Sequence, residues 1–188
     1  DFENGFGDAP EEVAETVRLS AEAGLAGISI EDTAFPSGDP YPADVAAERI
    51  RAAAAAARAL PRDFVLVARA DGVMTGRYGM EEALSRLRAM DAAGADCLYV
   101  PLPPGMVSLK KVVAATDKPA NALAAGRFAK VTRAEFAAAG VARISLGSAL
   151  ARVTHRVIRD AGMAMFGDGD FSMLAAGMPG AEVDALLG

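Results

Sequence analysis

Leu25-Ala-Gly-Ile-Ser-Ile-Glu-Asp32 is a short apolar run that stops on two acids. Its Ile content and length fit a strand buried on both faces better than a helix. The same construction recurs down the chain. Phe64 to Ala68 runs into Arg69-Ala70-Asp71-Gly72, and Ala95 to Val100 runs into a proline-rich turn. Lys118 to Leu123 carries Asn121 near its end, and Val141 to Leu146 is followed by Gly147 and Ser148. Helical stretches fill the gaps: Pro10 to Gly24, Ala43 to Leu60, Met80 to Ala93, Met106 to Ala115, Thr132 to Ala139, and a last one from Gly147 to about Ala161. Asp8 is the expected N-cap of the first. Val73 to Gly79 reads as a loop, and the tail from Gly162 to Gly188 carries one short helix around Ala181 to Leu187. Strand–helix alternation at even spacing predicts a parallel sheet with helical crossovers, in a single domain over 1–188. An open doubly wound sheet and a (β/α)8 barrel both satisfy the pattern. No G-x-G-x-x-G follows a strand, so the dinucleotide version of the open sheet lacks support.

Composition narrows the function. A net charge of −6 and a pI near 4.9 argue against nucleic-acid binding. One cysteine and one histidine leave no intrachain disulfide and no zinc cluster. No apolar run approaches the roughly 20 residues that span a bilayer, and no signal peptide is evident. A cytoplasmic protein without a membrane partner is therefore expected.

The chemistry lies at the strand ends. In a parallel α/β fold these gather on one face, where barrel enzymes place their sites. Asp1-Phe2-Glu3-Asn4-Gly5-Phe6-Gly7 puts two carboxylates at a two-residue spacing, which sends both to one side of an extended chain. Acids of this kind suit a hard divalent cation. An Arg on a neighbouring strand can grip a carboxylate or phosphate through two parallel hydrogen bonds. Asp71 is placed to orient Arg69. Cys97 reads as a buried small hydrophobe, His155 as a packing or interface residue, and Arg143 as half of a structural ion pair. Ser145, Gly147 and Ser148 form either a helix cap or a phosphate cradle.

Asp-x-Glu-x-Gly-Phe-Gly, Ala-Gly-x-x-Ile-Glu-Asp, Ala-Arg-x-Asp, Ala-Gly-Ala-Asp, Lys-Pro-x-Asn and Val-x-Arg-Ile-Ser-x-Gly occur in this order from residue 1 to about 161. Together they resemble the isocitrate lyase/phosphoenolpyruvate mutase superfamily. The resemblance implies a (β/α)8 barrel with its last helix exchanged onto a neighbouring subunit, in a dimer or tetramer. It implies Mg2+, with Mn2+ as the alternative, and a small 2-oxo acid or related carboxylate that reacts through a metal-stabilised enolate. By resemblance, Asp1, Glu3 and Glu31 form the metal shell, Arg69 binds substrate and steadies enolate charge, and Asn121 lies beside the substrate. Thr33 to Pro42, with Phe35, Pro36, Pro40 and Tyr41, corresponds to the lid. The loop lacks the Lys-x-Cys-Gly-His motif of the isocitrate and methylisocitrate lyases, which argues against those two activities; Ser37 and Asp39 are its polar residues. Glu3 stands where the family usually has Asp. The chain opens on the acidic motif without the strand that should lead to it, so about two βα units are expected to be missing and the barrel incomplete. An impaired or non-catalytic member serving as a binding subunit is the alternative.

Overall fold

The computed structural model describes residues 2–187. Five parallel strands pair in sequence order: β1 (Gly27–Glu31), β2 (Val65–Arg69), β3 (Cys97–Tyr99), β4 (Ala120–Leu123) and β5 (Arg143–Ser145). Between them run α1 (Pro10–Glu22, before β1), α2 (Ala43–Arg58), α3 (Gly72–Thr75), α4 (Met80–Ala92), α5 (Met106–Val113) and α6 (Arg133–Ala138). The strands thus fall where the apolar runs place them; β1 and β2 start later and reach Glu31 and Arg69, and the other three are shorter than their runs. The sheet curls: residues 26–29 of the first strand region and Arg143 of the fifth line one cleft. In a flat sheet, four spacings of about 4.8 Å would hold those strands roughly 19 Å apart. The result is a half-barrel.

Alternation along the strands sorts the side chains. Ile28, Ile30, Leu66, Ala68 and Leu98 pack outward against Val13 and Val17 of α1, Ile50 and Ala53 of α2, and Leu87 and Met90 of α4. A second cluster joins Ala122 to Leu109, Phe128 and Phe136. Val67, Cys97 and Tyr99 lie on the opposite, inward face with Leu123. Gly27 is required where it stands: a Cβ there would come within 2.3 Å of the Val65 carbonyl oxygen.

Four local expectations are corrected. The stretch Val73 to Gly79 is not all loop, because Gly72–Thr75 closes one helical turn that ends on Gly76 at φ 73°. Gly72 must lack a side chain, since a Cβ would lie 2.1 Å from the Tyr78 ring. Asp8 does not cap α1; Ala9 is the cap residue, the Glu12 carboxylate accepts its N–H at 2.8 Å, and Asp8 instead accepts the Tyr41 hydroxyl at 2.5 Å. The last long helix extends past Ala161: α7 spans Ala149–Gly167. Its N-cap Ser148 makes no side-chain capping bond. By contrast, Thr132 and Glu135 form a reciprocal capping box at the start of α6.

Contacts divide the chain into two compact units, Asp1–Ser145 and Leu146–Gly188. The second consists of α7, a short 3-10 turn (Ser172–Ala176) and α8 (Gly180–Leu187), with His155 exposed on α7. Among the described residues, no helix is long and apolar enough to cross a membrane.

Candidate active site

Register brings one residue from each strand into a single row. Glu31 is level with Arg69, Arg69 with Tyr99, Tyr99 with Asn121, and Asn121 with Arg143. Because Val67, Cys97 and Tyr99 share the inward face, the period of two turns Glu31 and Arg69 inward as well. The Glu3 segment joins the row from the other side, its carbonyl accepting the Glu31 N–H at 2.8 Å. Asp1 lies outside the described residues.

Arg69 is the centre of charge. Its Nη1 lies 2.9 Å from Glu31 Oε1, while Nε and Nη2 reach the two oxygens of Asp71 at 3.2 and 2.9 Å. The Tyr99 ring lies beneath the guanidinium, 5.3 Å from centroid to Cζ. Asp71 therefore orients Arg69, as expected, through a two-point grip. Glu31 also accepts from the Thr33 hydroxyl at 3.3 Å. Burial and the neighbouring Asp71 push the Glu31 carboxyl up to about 7, against the pull of Arg69. Burial likewise raises Asp71. Two carboxylates converging on one guanidinium are more negative than the site can comfortably hold.

These groups line a cleft of about 270 Å3 together with Glu3, Ala34, Phe35, Pro36, Gly38 and Met74. Glu3 sits in the left-handed region at φ 47°, a conformation non-glycine residues rarely adopt. The loop above the cleft narrows at a Thr33–Pro40 bridge. Tyr41 is buried, so it belongs to the stem rather than the exposed tip. Ser37 and Asp39 do not line the cleft; Asp39 pairs with Arg77 at 3.3 Å. Asn121 is fully buried, donating to Ser145 Oγ at 2.9 Å and accepting from Arg143 Nη1 at 2.8 Å. Arg143 is thus held by an amide: among the described residues it has no carboxylate partner, which corrects the expected ion pair.

Behind the row lies a buried polar network that the sequence reading passed over. Asp32, 1% exposed, accepts the Asp71 N–H at 2.8 Å, the Tyr78 hydroxyl at 2.5 Å and Arg86 Nη1 at 3.2 Å. Arg86 also donates to the Tyr41 carbonyl at 2.8 Å. Arg49, 1% exposed, donates to the carbonyls of Asn4, Gly7 and Asp8 and stacks on Tyr41. A signal for both arginines was present, since each occupies a core position of its helix, Arg49 between Ala46 and Ile50 and Arg86 between Ala83 and Met90.

The phosphoenolpyruvate phosphomutase family model matches residues 1–166, most of the chain. The chain belongs to the isocitrate lyase/phosphoenolpyruvate mutase superfamily. Within it, a phosphonopyruvate hydrolase from Variovorax sp. (strain Pal2) is 37% identical over 108 residues, 53% of this chain and 36% of the hydrolase. An oxaloacetate decarboxylase from Rhodopseudomonas palustris (strain BisB18) is 35% identical over 133 residues, 63% of this chain and 42% of the decarboxylase. The matched segments span less than half the length of these curated relatives. The crystal structure of a candidate lyase/mutase from Burkholderia cenocepacia J2315 superposes with a TM-score of 0.94 at 41% identity, covering 100% of this chain and 68% of that one. The half-barrel is accordingly the superfamily's α/β architecture, seen over part of its length.

Among the described residues no group of three acids, histidines or cysteines is gathered to hold an ion. The donor chemistry nevertheless fits a hard cation: Glu3 and Glu31 share the cleft and supply only oxygen. Charge fits as well. Three lining carboxylates (Glu3, Glu31, Asp71) against one guanidinium (Arg69) leave an excess of two negative charges when all are ionised.

Proposed function

We propose that this chain forms the core of a divalent-metal-dependent lyase or mutase acting on a small 2-oxo acid or related carboxylate through an enolate. The inward-facing Glu31–Arg69–Asp71 group at the strand ends, with Glu3 tied alongside, carries the reading. Phosphonopyruvate and oxaloacetate, named for the two relatives, are both 2-oxo acids with a breakable bond at C3. Breaking that bond leaves its electron pair on C3, delocalised onto the C2 oxygen, so the transition state gains negative charge at that oxygen. A charge developing there is best met by cationic groups fixed beforehand. Arg69 supplies one, already oriented by Asp71 and desolvated beside Tyr99. Glu3 and Glu31, with Asp1, would hold Mg2+ or Mn2+, which as a Lewis acid would polarise the 2-oxo group. The Phe35–Pro36 tip and Met74 give the cleft an apolar lining. Asn121 donates one N–H to Ser145 and accepts one bond from Arg143, so its amide keeps a second N–H and a second lone pair for a substrate contact. The reaction class is carbon–carbon lyase or phosphonomutase-like, and a cytoplasmic location belongs to the same reading.

Oxalate, a planar mimic of the enolate, tests this by calorimetry. Saturating Mg2+ should tighten oxalate binding at least about tenfold, since one coupling of about 1.4 kcal/mol gives that factor. Equal affinity with and without metal would sink the metal–enolate reading, and no binding at all would favour a non-catalytic member.

We also propose a homo-oligomer, a dimer or tetramer, in which the last long helix is exchanged between copies. Its support is the exposed apolar series Leu150, Val153, Val157, Ile158, Met163 and Phe166 on α7, Phe166 being 93% exposed. Light scattering at micromolar concentration should show an assembly that Phe166→Glu shifts toward monomer. A monomeric parent protein would reject the proposal.

A further inference from the structure

We propose that Asp32 is a positioning residue that sets the Arg69 guanidinium through Asp71 and fixes the stem of the Thr33–Pro40 loop through Arg86. The inference rests on the reading of Arg69 as the substrate cation, and it adds the group that holds Arg69 in place.

Asp32 follows Glu31 directly, so alternation turns it away from the cleft and into the protein. There it should be costly: a carboxylate with almost no exposure is retained only when paired and hydrogen-bonded. Its partners account for the burial, and each connects to a different part of the site. Through Oδ1 it accepts the Asp71 N–H at 2.8 Å. Asp71 Oδ1 and Oδ2 in turn hold Arg69 Nε and Nη2. The carboxylate that aims Arg69 therefore takes its backbone position from Asp32. Through Oδ2 it accepts Tyr78, whose ring packs so closely on Gly72 that no Cβ would fit. This fixes the turn that follows Asp71. The same Oδ2 accepts Arg86, which also donates to the Tyr41 carbonyl. The Tyr41 N–H returns to the Asp32 carbonyl at 2.8 Å. Residues 32 and 41, the two ends of the loop, are thereby clamped directly next to the Thr33–Pro40 bridge. Groups that orient a functional side chain in this way commonly cost 10–100-fold when removed.

Asp32→Asn keeps the shape and removes the charge. Two readouts separate positioning from mere stability, both taken well below each variant's Tm. The first is ligand-independent: hydrogen exchange of the Arg69 Nε–H followed by NMR, the signal being assigned by its loss in Arg69→Lys. Protection should fall about tenfold or more in Asp32→Asn. The second is oxalate affinity in the presence of Mg2+, which should weaken by a similar factor. Tyr78→Phe removes one of the three bonds to Asp32 and should give a smaller loss in both, roughly threefold. It serves alone if Asp32→Asn fails to fold. Unchanged Nε–H protection in the folded variant would overturn the inference. Failure of the parent protein to bind oxalate would overturn the proposed function instead, and leave the exchange result to decide the role of Asp32.

Discussion

Arg69→Ala should abolish oxalate binding and lower kcat/KM about 10³-fold while sparing Mg2+ binding. The size follows from what is removed: one preorganised cation in a partly desolvated cleft, a type of group worth about 10²–10³ in rate, with its share of substrate binding added. The split between anion and metal follows from the charges. Removing the guanidinium leaves Glu31 and Asp71 without the cation that each contacts at 2.9 Å. The cleft becomes more negative, which repels an anion and favours a dication. Calorimetry should therefore show Mg2+ affinity held or raised as oxalate affinity disappears. Arg69→Lys should recover only a fraction of the activity, because an ammonium cannot make the two-point contact with Asp71. Oxalate binding that survives Arg69→Ala would remove the assigned role, and loss of both ligands together would point to collapse of the cleft.

The same residue shows how far the sequence could be read. Glu31, Arg69 and Asn121 were visible because each follows or ends an apolar run, and parallel crossovers bring such positions together whatever the details. Tyr99 and Arg143 complete the same row, yet nothing local marks them. Their place depends on register, which is settled by pairing across the sheet. Arg143 illustrates the difference: a cation on a strand suggests a carboxylate partner, but the residue opposite is Asn121, and the amide oxygen takes the bond. The loop after β2 hides a helical turn because Gly72–Thr75 is a single turn, closed by local bonds such as Thr75 N–H to the Asp71 carbonyl and too short to show a helical period. Asp32, Arg49 and Arg86 stood in plain view as charged residues at buried positions. What was missing was the partner in each case, since these bonds join residues 39 to 54 apart.

Arg49 leads to the largest expected loss of stability. Arg49→Ala should destabilise the fold by about 3–5 kcal/mol, the usual cost of breaking a buried charged network. In a chain of this size that is a fall in Tm of roughly 6–20 °C, read by thermal unfolding. The guanidinium is nearly inaccessible, and burial pulls its pKa down against the opposing pull of Tyr41 and Asp8. Among the described residues its Nε–H has no acceptor. As a source of stability alone this is a costly arrangement, because a buried charge carries its desolvation penalty. The compensation is geometric. Three carbonyls, those of Asn4, Gly7 and Asp8, converge on one side chain, and Tyr41 lies against its face at 4.3 Å. Those carbonyls belong to the turn that follows Glu3, where Phe6 as well as Glu3 has a positive φ. A turn carrying two such residues needs something to hold it. Arg49→Met separates the two contributions. It restores most of the buried volume, so it should recover part of the lost Tm, but it cannot gather the carbonyls. Mg2+ affinity should therefore stay low in Arg49→Met even where stability returns. If Arg49→Met binds Mg2+ as the parent protein does, the clamp on the Glu3 turn is not what shapes the Glu3 side of the cleft.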